Sequence, residues 1–156
     1  GQKNYARTLS PEIGERELPV FRQAKHWLEV YFAGKEPAFS VPLHPMGTAF
    51  QQRVWDFLRT IPYGNTATYG EIAERLAAEN GIAHLSAQAV GGAVGRNPIS
   101  ILIPCHRVIG ADGSLTGYAG GIERKRALLT LEREGVVNAA EAIPQAAQQR
   151  SRMRQP

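Results

Sequence analysis

The sequence predicts a mostly α-helical domain with a few short β elements. Apolar residues recur at spacings of three and four in several stretches, which is the pattern of helices that bury one face. Serine or threonine stands directly before three of these stretches, where such residues cap helices. At 156 residues the chain fits one domain, or one domain with a small appendage, and it can bury a real core.

Charge and cysteine content restrict the possible functions. Eighteen Lys and Arg against fourteen Asp and Glu give a net charge of +4, and fourteen of the eighteen are Arg. This excess is compatible with nucleic acid without identifying it. One cysteine excludes an internal disulfide, and the four scattered histidines lack the spacing of a zinc site. We therefore expect no metal site.

The same composition predicts a cytoplasmic protein. No apolar run approaches the roughly 20 residues that a membrane helix needs. The N-terminus shows no signal-peptide hydrophobic region, so we expect a reducing compartment and no membrane contact.

The N-terminal part predicts one helix and a linker. Residues 1–17 are polar and are expected to be loosely packed. From Leu18 to Phe32 the apolar positions follow helical spacing, and Gly34 ends the helix; its apolar face consists of Phe21, Ala24, Leu28 and Tyr31. Several prolines make residues 35–47 an extended linker, where any strand, for example over residues 39–41, would be short and at an edge.

Two capped helices follow the linker. Thr48 caps the first, which ends at residues 61–64, Ile-Pro-Tyr-Gly. Its apolar face consists of Phe50, Val54, Phe57, Leu58 and Ile61. Thr68 and Glu71 form a capping box that opens the second, from Tyr69 to about Glu79. Its inward residues are Ile72, Ala73, Leu76 and Ala77.

A shorter helix after Asn80-Gly81 gives the outline of a helix-turn-helix. Ser86 caps residues 87–94, and the connector is longer than the usual tight turn. Gly91 and Gly92 each cost about 1 kcal/mol relative to alanine in a helix. Close packing of another helix and close approach of a nucleic-acid backbone are both possible reasons for these glycines.

Beyond Gly110 the sequence predicts loops and one more helix. Residues 111–114 form a turn in a hairpin-like excursion, and residues 117–121 form a flexible loop. The last helix runs from about Ile122 to Glu134 and is closed by Gly135. From Asn138 onward the chain is a basic, disordered tail.

The lone cysteine has two interpretations. Cys105 ends an apolar run over residues 99–103, where a small hydrophobic residue would fit the end of a buried strand. His106 and Arg107 follow it, and such partners favour the thiolate of a nucleophile. Consecutive side chains of an extended segment point to opposite faces. A Cys105–His106 contact therefore needs a sharp turn after Pro104 or a bridging water, and we predict the water.

A carboxylate on the last helix completes a possible relay. Glu132 shares the inward face with Leu128 and Leu131, where a charge must be paired. It can form a salt bridge with Arg107, which we interpret as structural, or it can orient His106 as a base. Asn97 is held extended by Pro98 and can bridge two segments. Tyr69 can be a core, cap or ligand-contacting residue.

At these residues the chain resembles the O6-alkylguanine-DNA alkyltransferases, a family of direct-reversal DNA repair proteins. Residues 104–108, Pro-Cys-His-Arg-Val, match the active-site signature. The resemblance covers about residues 45–135, and its other matching segments are residues 50–55, 61–64, 89–93, 97–98, 117–121 and 128–132. It implies a winged helix-turn-helix-like alkyltransferase domain over residues 47–137. A short remnant of the family's N-terminal α/β domain (1–46) would precede it, and the tail (138–156) would follow.

The resemblance also implies roles. Cys105 would accept an alkyl group from O6 of a flipped-out guanine, and His106 would take the thiol proton through water, with Glu132 behind it. Tyr69 would help to protonate the departing guanine, while Asn97 would brace the cysteine loop. The implied substrate- and DNA-binding residues are Gln88, Ala89, Gly91, Gly92, Arg96, Arg107, Tyr118 and Ala119. The implied partner is the minor groove of double-stranded DNA containing O6-alkylguanine, bound by a monomer at the nucleoid. The resemblance also implies that each molecule acts once and needs no cofactor.

One departure from the family pattern stands on the short helix. The family usually has an arginine just before Ala89, which fills the gap left by the flipped base, whereas this chain has Gln88. Glutamine can occupy the gap but offers no cationic stacking. Three alternative functions remain: a non-enzymatic alkyltransferase-like binder, a helix-turn-helix regulator, and a Cys–His hydrolase that turns over repeatedly.

Overall fold

The computed structural model describes residues 18–136, in which helices dominate. The helices are α1 (Pro19–Phe32), α2 (Ala49–Thr60), α3 (Tyr69–Glu79), α4 (Ala87–Val94) and α5 (residues 122–136). Strands β1 (Ala67–Thr68) and β2 (Val108–Ile109) pair in parallel, and Cys105–Arg107 forms a 3₁₀ turn directly before β2. The predicted fold class, mostly α with short β elements, is confirmed. The predictions for residues 1–17 and for the tail lie outside the described residues.

The three predicted helix starts are confirmed by their caps. The Thr48 hydroxyl accepts from the Gln51 amide at 3.2 Å, and the Gln51 side chain accepts from the Thr48 amide at 2.9 Å. Thr68 and Glu71 form the same reciprocal pair, at 3.1 and 2.7 Å. Ser86 Oγ accepts from the amide of residue 89 at 3.1 Å. These side chains satisfy amides that a helix start leaves without partners.

Helices α2, α3 and α4 enclose the main core. Trp55, which the helical pattern did not place on the apolar face of α2, is buried, and its indole Nε1 donates to the Ala93 carbonyl at 2.9 Å. This bond ties α2 to α4. The core also contains Cys105, and its other buried members are Val54, Leu58, Ile61, Ile72, Ala73, Leu76, Val90, Val94, Ile103 and Val108.

Helix α1 covers a second, smaller cluster around Tyr31, Tyr63 and Leu128. Of the face predicted for α1, only Tyr31 is fully buried, and Phe21 is 58% exposed. Gly34 follows the helix with φ +74°, as expected of a helix-ending glycine. The linker forms no strand over residues 39–41.

In the second half, one predicted turn is confirmed, one helix end is wrong, and one interpretation of residues 99–103 is excluded. The apolar run over residues 99–103 is a tight loop, because Ile101 adopts φ +74°, which a strand cannot contain. Strand β2 pairs in parallel with β1, and the predicted turn over residues 111–114 follows it, with the Gly110 amide donating to the Ser114 carbonyl at 2.9 Å. Helix α5 continues past Gly135, so this glycine does not end the helix. Glycine is needed there because a Cβ would collide with the Gly34 carbonyl. In residues 18–136 no helix has the length and apolar character needed to cross a membrane.

Candidate active site

Cys105 lies at the start of a sharp turn and is 7% exposed. The 3₁₀ turn closes with the Arg107 amide donating to the Pro104 carbonyl at 3.0 Å. Four residues earlier, Ile101 holds a left-handed conformation that costs a β-branched residue about 1–3 kcal/mol. The loop that leads to Cys105 is therefore strained, and backbone strain of this kind is often found at functional sites.

Asn97 braces the loop that carries the cysteine. Its Nδ2 donates to the Ile103 carbonyl at 2.8 Å, and its Oδ1 accepts from the Ile99 amide at 3.0 Å. Burial raises the pKa of Cys105, while the hydrogen bond to Asn97 and the positive charge of Lys125 oppose that rise. The thiol is consequently protonated at neutral pH and needs a base to become a nucleophile.

His106 is fully buried beside Cys105 on the same turn. Its Nε2 lies 2.7 Å from Glu132 Oε1, a geometry that places the ring proton on Nε2. Among the described residues no protein group, the Cys105 thiol included, hydrogen-bonds Nδ1. Burial lowers the pKa of His106 although Glu132 opposes this, so the imidazole is neutral and Nδ1 carries a free lone pair.

Glu132 performs both roles that its sequence pattern left open. Besides His106, it binds the guanidinium of Arg107, with Nε 2.9 Å from Oε2 and Nη2 3.0 Å from Oε1. The Gly64 amide donates to Oε2 at 3.0 Å. Burial would raise the pKa of Glu132, but the hydrogen bonds from His106 and Arg107 lower it to about 2. The carboxylate is thus ionised, and the guanidinium of Arg107 balances its negative charge.

The placement of Arg107 does not fit the predicted contact with substrate or DNA. The residue is 8% exposed, and its Nη1 donates to the Ile61 carbonyl at 2.6 Å. Its guanidinium already binds a carboxylate and a carbonyl inside the protein, so little of it is open to a phosphate. This correction supports the structural interpretation of Arg107.

Two tyrosines border the cysteine. Tyr69 begins α3 and donates to the Thr116 carbonyl at 3.2 Å. Burial raises the pKa of Tyr69 and of Tyr118, and a negative charge on Cys105 adds to both shifts, which places both phenols within the field of the sulfur. Both hydroxyls therefore stay protonated, and the Tyr69 proton is directed at the Thr116 carbonyl.

The outer face of α4 consists of small and polar residues. Val90, Ala93 and Val94 are buried against the core, whereas Gln88, Ala89 and Gly92 are exposed and Gly91 is half-buried. Arg96, just after the helix, is exposed and donates to the Gly92 carbonyl at 3.3 Å. Ala119, in the loop after β2, is exposed as well. The structure thus places these predicted contact residues at the surface, apart from the buried relay.

Two buried polar residues near the relay were missed from the sequence. Lys125 is fully buried, and its ammonium donates to the carbonyls of Val108 and Thr116, the latter at 2.7 Å. Tyr31 is fully buried, with its hydroxyl 2.7 Å from Glu132 Oε1. Lys125 lies three residues before Leu128, on the inward face of α5, and Tyr31 lies on the apolar face of α1. Each position therefore carried a signal, a polar group on an inward face that requires a partner.

A helix-turn-helix packed on a turn that carries a cysteine, with a buried His–Glu pair behind it, defines an alkyltransferase-type domain. The family model described as "6-O-methylguanine DNA methyltransferase, DNA binding domain" matches residues 49–134, and the chain belongs to this family. Within residues 18–136 no group of three His, Cys, Asp or Glu side chains could hold a metal ion.

Individual relatives agree with the family match. The chain is 53% identical over 118 residues to the methylated-DNA–protein-cysteine methyltransferase of Haemophilus influenzae, covering 75% of this chain and 63% of the relative. The Mycobacterium bovis protein of the same name is 58% identical over 114 residues, covering 73% and 66%. A crystal structure of Mycobacterium tuberculosis OGT in complex with DNA superposes with a TM-score of 0.66 at 56% identity, covering 74% of this chain and 68% of that one. The chain therefore spans just under two thirds of the length of the first two relatives.

Proposed function

We propose that this protein repairs DNA by irreversible transfer of an alkyl group, typically methyl, from O6 of guanine to Cys105. The observation that carries the proposal is the placement of Cys105 on a 3₁₀ turn, after the strained loop at Ile101 and directly beside the buried His106–Glu132 pair. The names of its close relatives support the same activity. Each molecule would act once, as a methylated-DNA–protein-cysteine S-methyltransferase, at the nucleoid in the cytoplasm.

The proposed chemistry needs a base, because Cys105 is a protonated thiol at rest. Neutral His106 takes the thiol proton at Nδ1 through a bridging water, while Glu132 stabilises the imidazolium through Nε2. The thiolate sulfur attacks the alkyl carbon, a C–S bond forms, and the C–O6 bond breaks with its electron pair leaving on guanine. Tyr69 donates a proton to the departing base and is reprotonated through water by the proton that His106 took. The thioether is stable to water, so no cofactor is consumed and no turnover follows.

Transfer from duplex DNA requires the base to leave the stack, and α4 is the proposed reader. Gly91 and Gly92 are not demanded by internal packing. A Cβ would lie 3.7 Å from Tyr69 and 3.6 Å from Arg96, respectively, which are ordinary contacts. The absent side chains therefore favour the second reason for the glycines, close approach of a nucleic-acid backbone. Ala89 and Arg96 continue this face, and a small-residue surface suits the narrow minor groove.

The remaining residues would form the substrate pocket. Tyr69 lies between α4 and the loop after residue 116, so its phenol can reach a base extruded beside α4. Tyr118 and Ala119 would line the pocket for the flipped guanine, and Asn97 would keep the cysteine loop in place. Gln88 would fill the space that the base leaves. Extruding the base itself costs roughly a few kcal/mol.

Intact mass spectrometry tests this proposal. The protein is incubated with duplex DNA containing one O6-methylguanine, with Cys105→Ser as the matched control. We expect one added methyl group per molecule, mapped to Cys105, with no further product. Binding without an adduct would instead favour an alkyltransferase-like binder, and equal affinity for unmodified DNA a helix-turn-helix regulator. Continued product formation would favour a hydrolase.

A further inference from the structure

The hydroxyl of Tyr31 contacts both members of the His106–Glu132 pair. It donates to Glu132 Oε1 at 2.7 Å and lies 3.2 Å from His106 Nε2. Tyr31 belongs to α1, 75 positions before His106 in the chain, and it is fully buried. Its ring packs edge-on against Tyr63 and His106, which fixes the direction of the hydroxyl.

The three side chains share one carboxylate oxygen. Glu132 Oε1 accepts from Tyr31, from His106 Nε2 and, at 3.0 Å, from Arg107 Nη2. Burial, together with the neighbouring carboxylate, raises the pKa of Tyr31 far above its ordinary value, so its hydroxyl is always a donor. Each further donor weakens the attraction of a carboxylate oxygen for the protons of the others, because every donor withdraws negative charge from it.

This arrangement gives helix α1 a direct part in the relay. We propose that Tyr31 is a positioning residue, which holds Glu132 Oε1 in line with His106 Nε2. Its hydrogen bond weakens the attraction of Glu132 for the proton on Nε2. His106 therefore stays neutral, and its Nδ1 can accept the proton of Cys105. The proposal rests on the proposed function for its effect on alkyl transfer. Its effect on His106 itself can be measured without any transfer.

Several charged or titratable groups surround His106. Glu132 and Lys125 approach from α5, Tyr31 from α1, and Arg107 and Cys105 flank it on the 3₁₀ turn. Removing the Tyr31 hydroxyl changes no net charge, and phenylalanine keeps the ring. Tyr31→Phe therefore tests the hydroxyl alone, whereas a substitution of any other group would change the local charge or remove the nucleophile.

Tyr63→Phe is the matched control. The Tyr63 ring lies 6.0 Å from that of Tyr31 in the same cluster, and its buried hydroxyl has no hydrogen-bond partner among the described residues. Both variants lose one buried phenol oxygen, but only Tyr31→Phe removes a donor from Glu132. Thermal unfolding of both proteins shows whether each is folded before any comparison is made.

The experiment is a ¹⁵N NMR titration of the histidine rings in full-length protein. Exposed His26, His44 and His84 serve as internal references. In Tyr31→Phe we expect the pKa of His106 to rise by about one unit, a tenfold change in its protonation equilibrium. The low-pH limb of the methyl-transfer rate should move upward by the same amount, with the rate at high pH retained. Tyr63→Phe should leave both unchanged.

An unshifted His106 titration in folded Tyr31→Phe would overturn the proposal, and so would an equal shift in Tyr63→Phe. If Tyr31→Phe fails to fold, 3-fluorotyrosine at position 31 keeps the shape and strengthens the donor, so the pKa of His106 should move downward instead. A wild-type protein that transfers no methyl group would contradict the proposed function alone, since the titration still reports on Tyr31.

Discussion

The guanidinium of Arg107 grips the carboxylate of Glu132 through two nitrogens, with Nε 2.9 Å from Oε2 and Nη2 3.0 Å from Oε1. Both side chains are buried, and the same arginine reaches the Ile61 carbonyl at the end of α2. The pair therefore joins α5, the 3₁₀ turn and α2. It also fixes the carboxylate that binds His106. The stability of the domain and the orientation of His106 therefore both depend on the contact between Arg107 and Glu132.

Arg107→Met should be strongly destabilising, because it leaves Glu132 charged, buried and without its positively charged partner. We expect a loss of about 3–5 kcal/mol in the free energy of unfolding, measured by urea denaturation. Arg126→Met is the matched control, since Arg126 pairs with Glu123 at 2.8 Å on the exposed surface of α5 and should change stability little. Equal losses in the two variants would show that the buried pair contributes no more to the free energy of unfolding than the exposed pair.

The relay also predicts how stability depends on pH. Hydrogen bonds from His106 and Arg107, which outweigh burial, lower the pKa of Glu132 from its ordinary 4.5 to about 2. As the pH falls from 4.5 toward 2, the unfolded chain takes up a proton that folded Glu132 refuses, so stability is lost across that window. Burial lowers the pKa of His106 below 6.5, which adds a loss as the pH falls below that value.

Circular dichroism melting curves over this range measure the effect. Glu132→Gln should be less stable than the wild type at neutral pH, and its stability should depend less on pH between 4.5 and 2. His106 is retained in this variant, so its contribution below pH 6.5 separates the two groups. A wild-type curve that is flat down to pH 2 would contradict the assigned pKa of Glu132.

Local sequence signals predicted the elements well and their distant contacts poorly. The Thr48 and Thr68 capping boxes could be found because a cap depends on residues three apart. The β-branched residues of the 99–103 run left a buried strand as one interpretation, because such residues favour strands, and no local signal indicated the left-handed Ile101. Tyr31 was assigned to the apolar face of α1, but its partner Glu132 is 101 positions away, and no local pattern reports such a pairing.

Gly135 illustrates the same limit and gives another prediction. Glycine in a helix costs about 1 kcal/mol relative to alanine, so propensity alone predicts that Gly135→Ala is stabilising. The structure predicts the opposite, because a Cβ would collide with the Gly34 backbone and approach the Tyr63 hydroxyl to 2.9 Å. We expect Gly135→Ala to lower the midpoint of thermal unfolding.

Gly70→Ala provides the comparison for that experiment. Gly70 lies in the first turn of α3, where the nearest atom to an added Cβ is Thr68 Oγ1 at 3.9 Å. Alanine should raise the stability there by up to about 1 kcal/mol. If both alanine variants shift the midpoint of thermal unfolding in the same direction, the packing of α5 against the end of α1 does not determine the effect of Gly135→Ala.

Gln88 tests how the proposed reading face of α4 extrudes a base. The side chain is exposed on α4 two residues before buried Val90, and an arginine there would add cationic stacking against the gap left by a flipped base. We expect Gln88→Arg to accelerate methyl transfer from O6-methylguanine in duplex DNA more than transfer from the free base, since the free base needs no extrusion. Single-turnover kinetics with the two substrates measure the ratio. Gln23→Arg, on the exposed side of α1, adds the same charge away from α4 and controls for general attraction to DNA. Equal acceleration on both substrates, or an equal effect of Gln23→Arg, would contradict a role of residue 88 in base flipping.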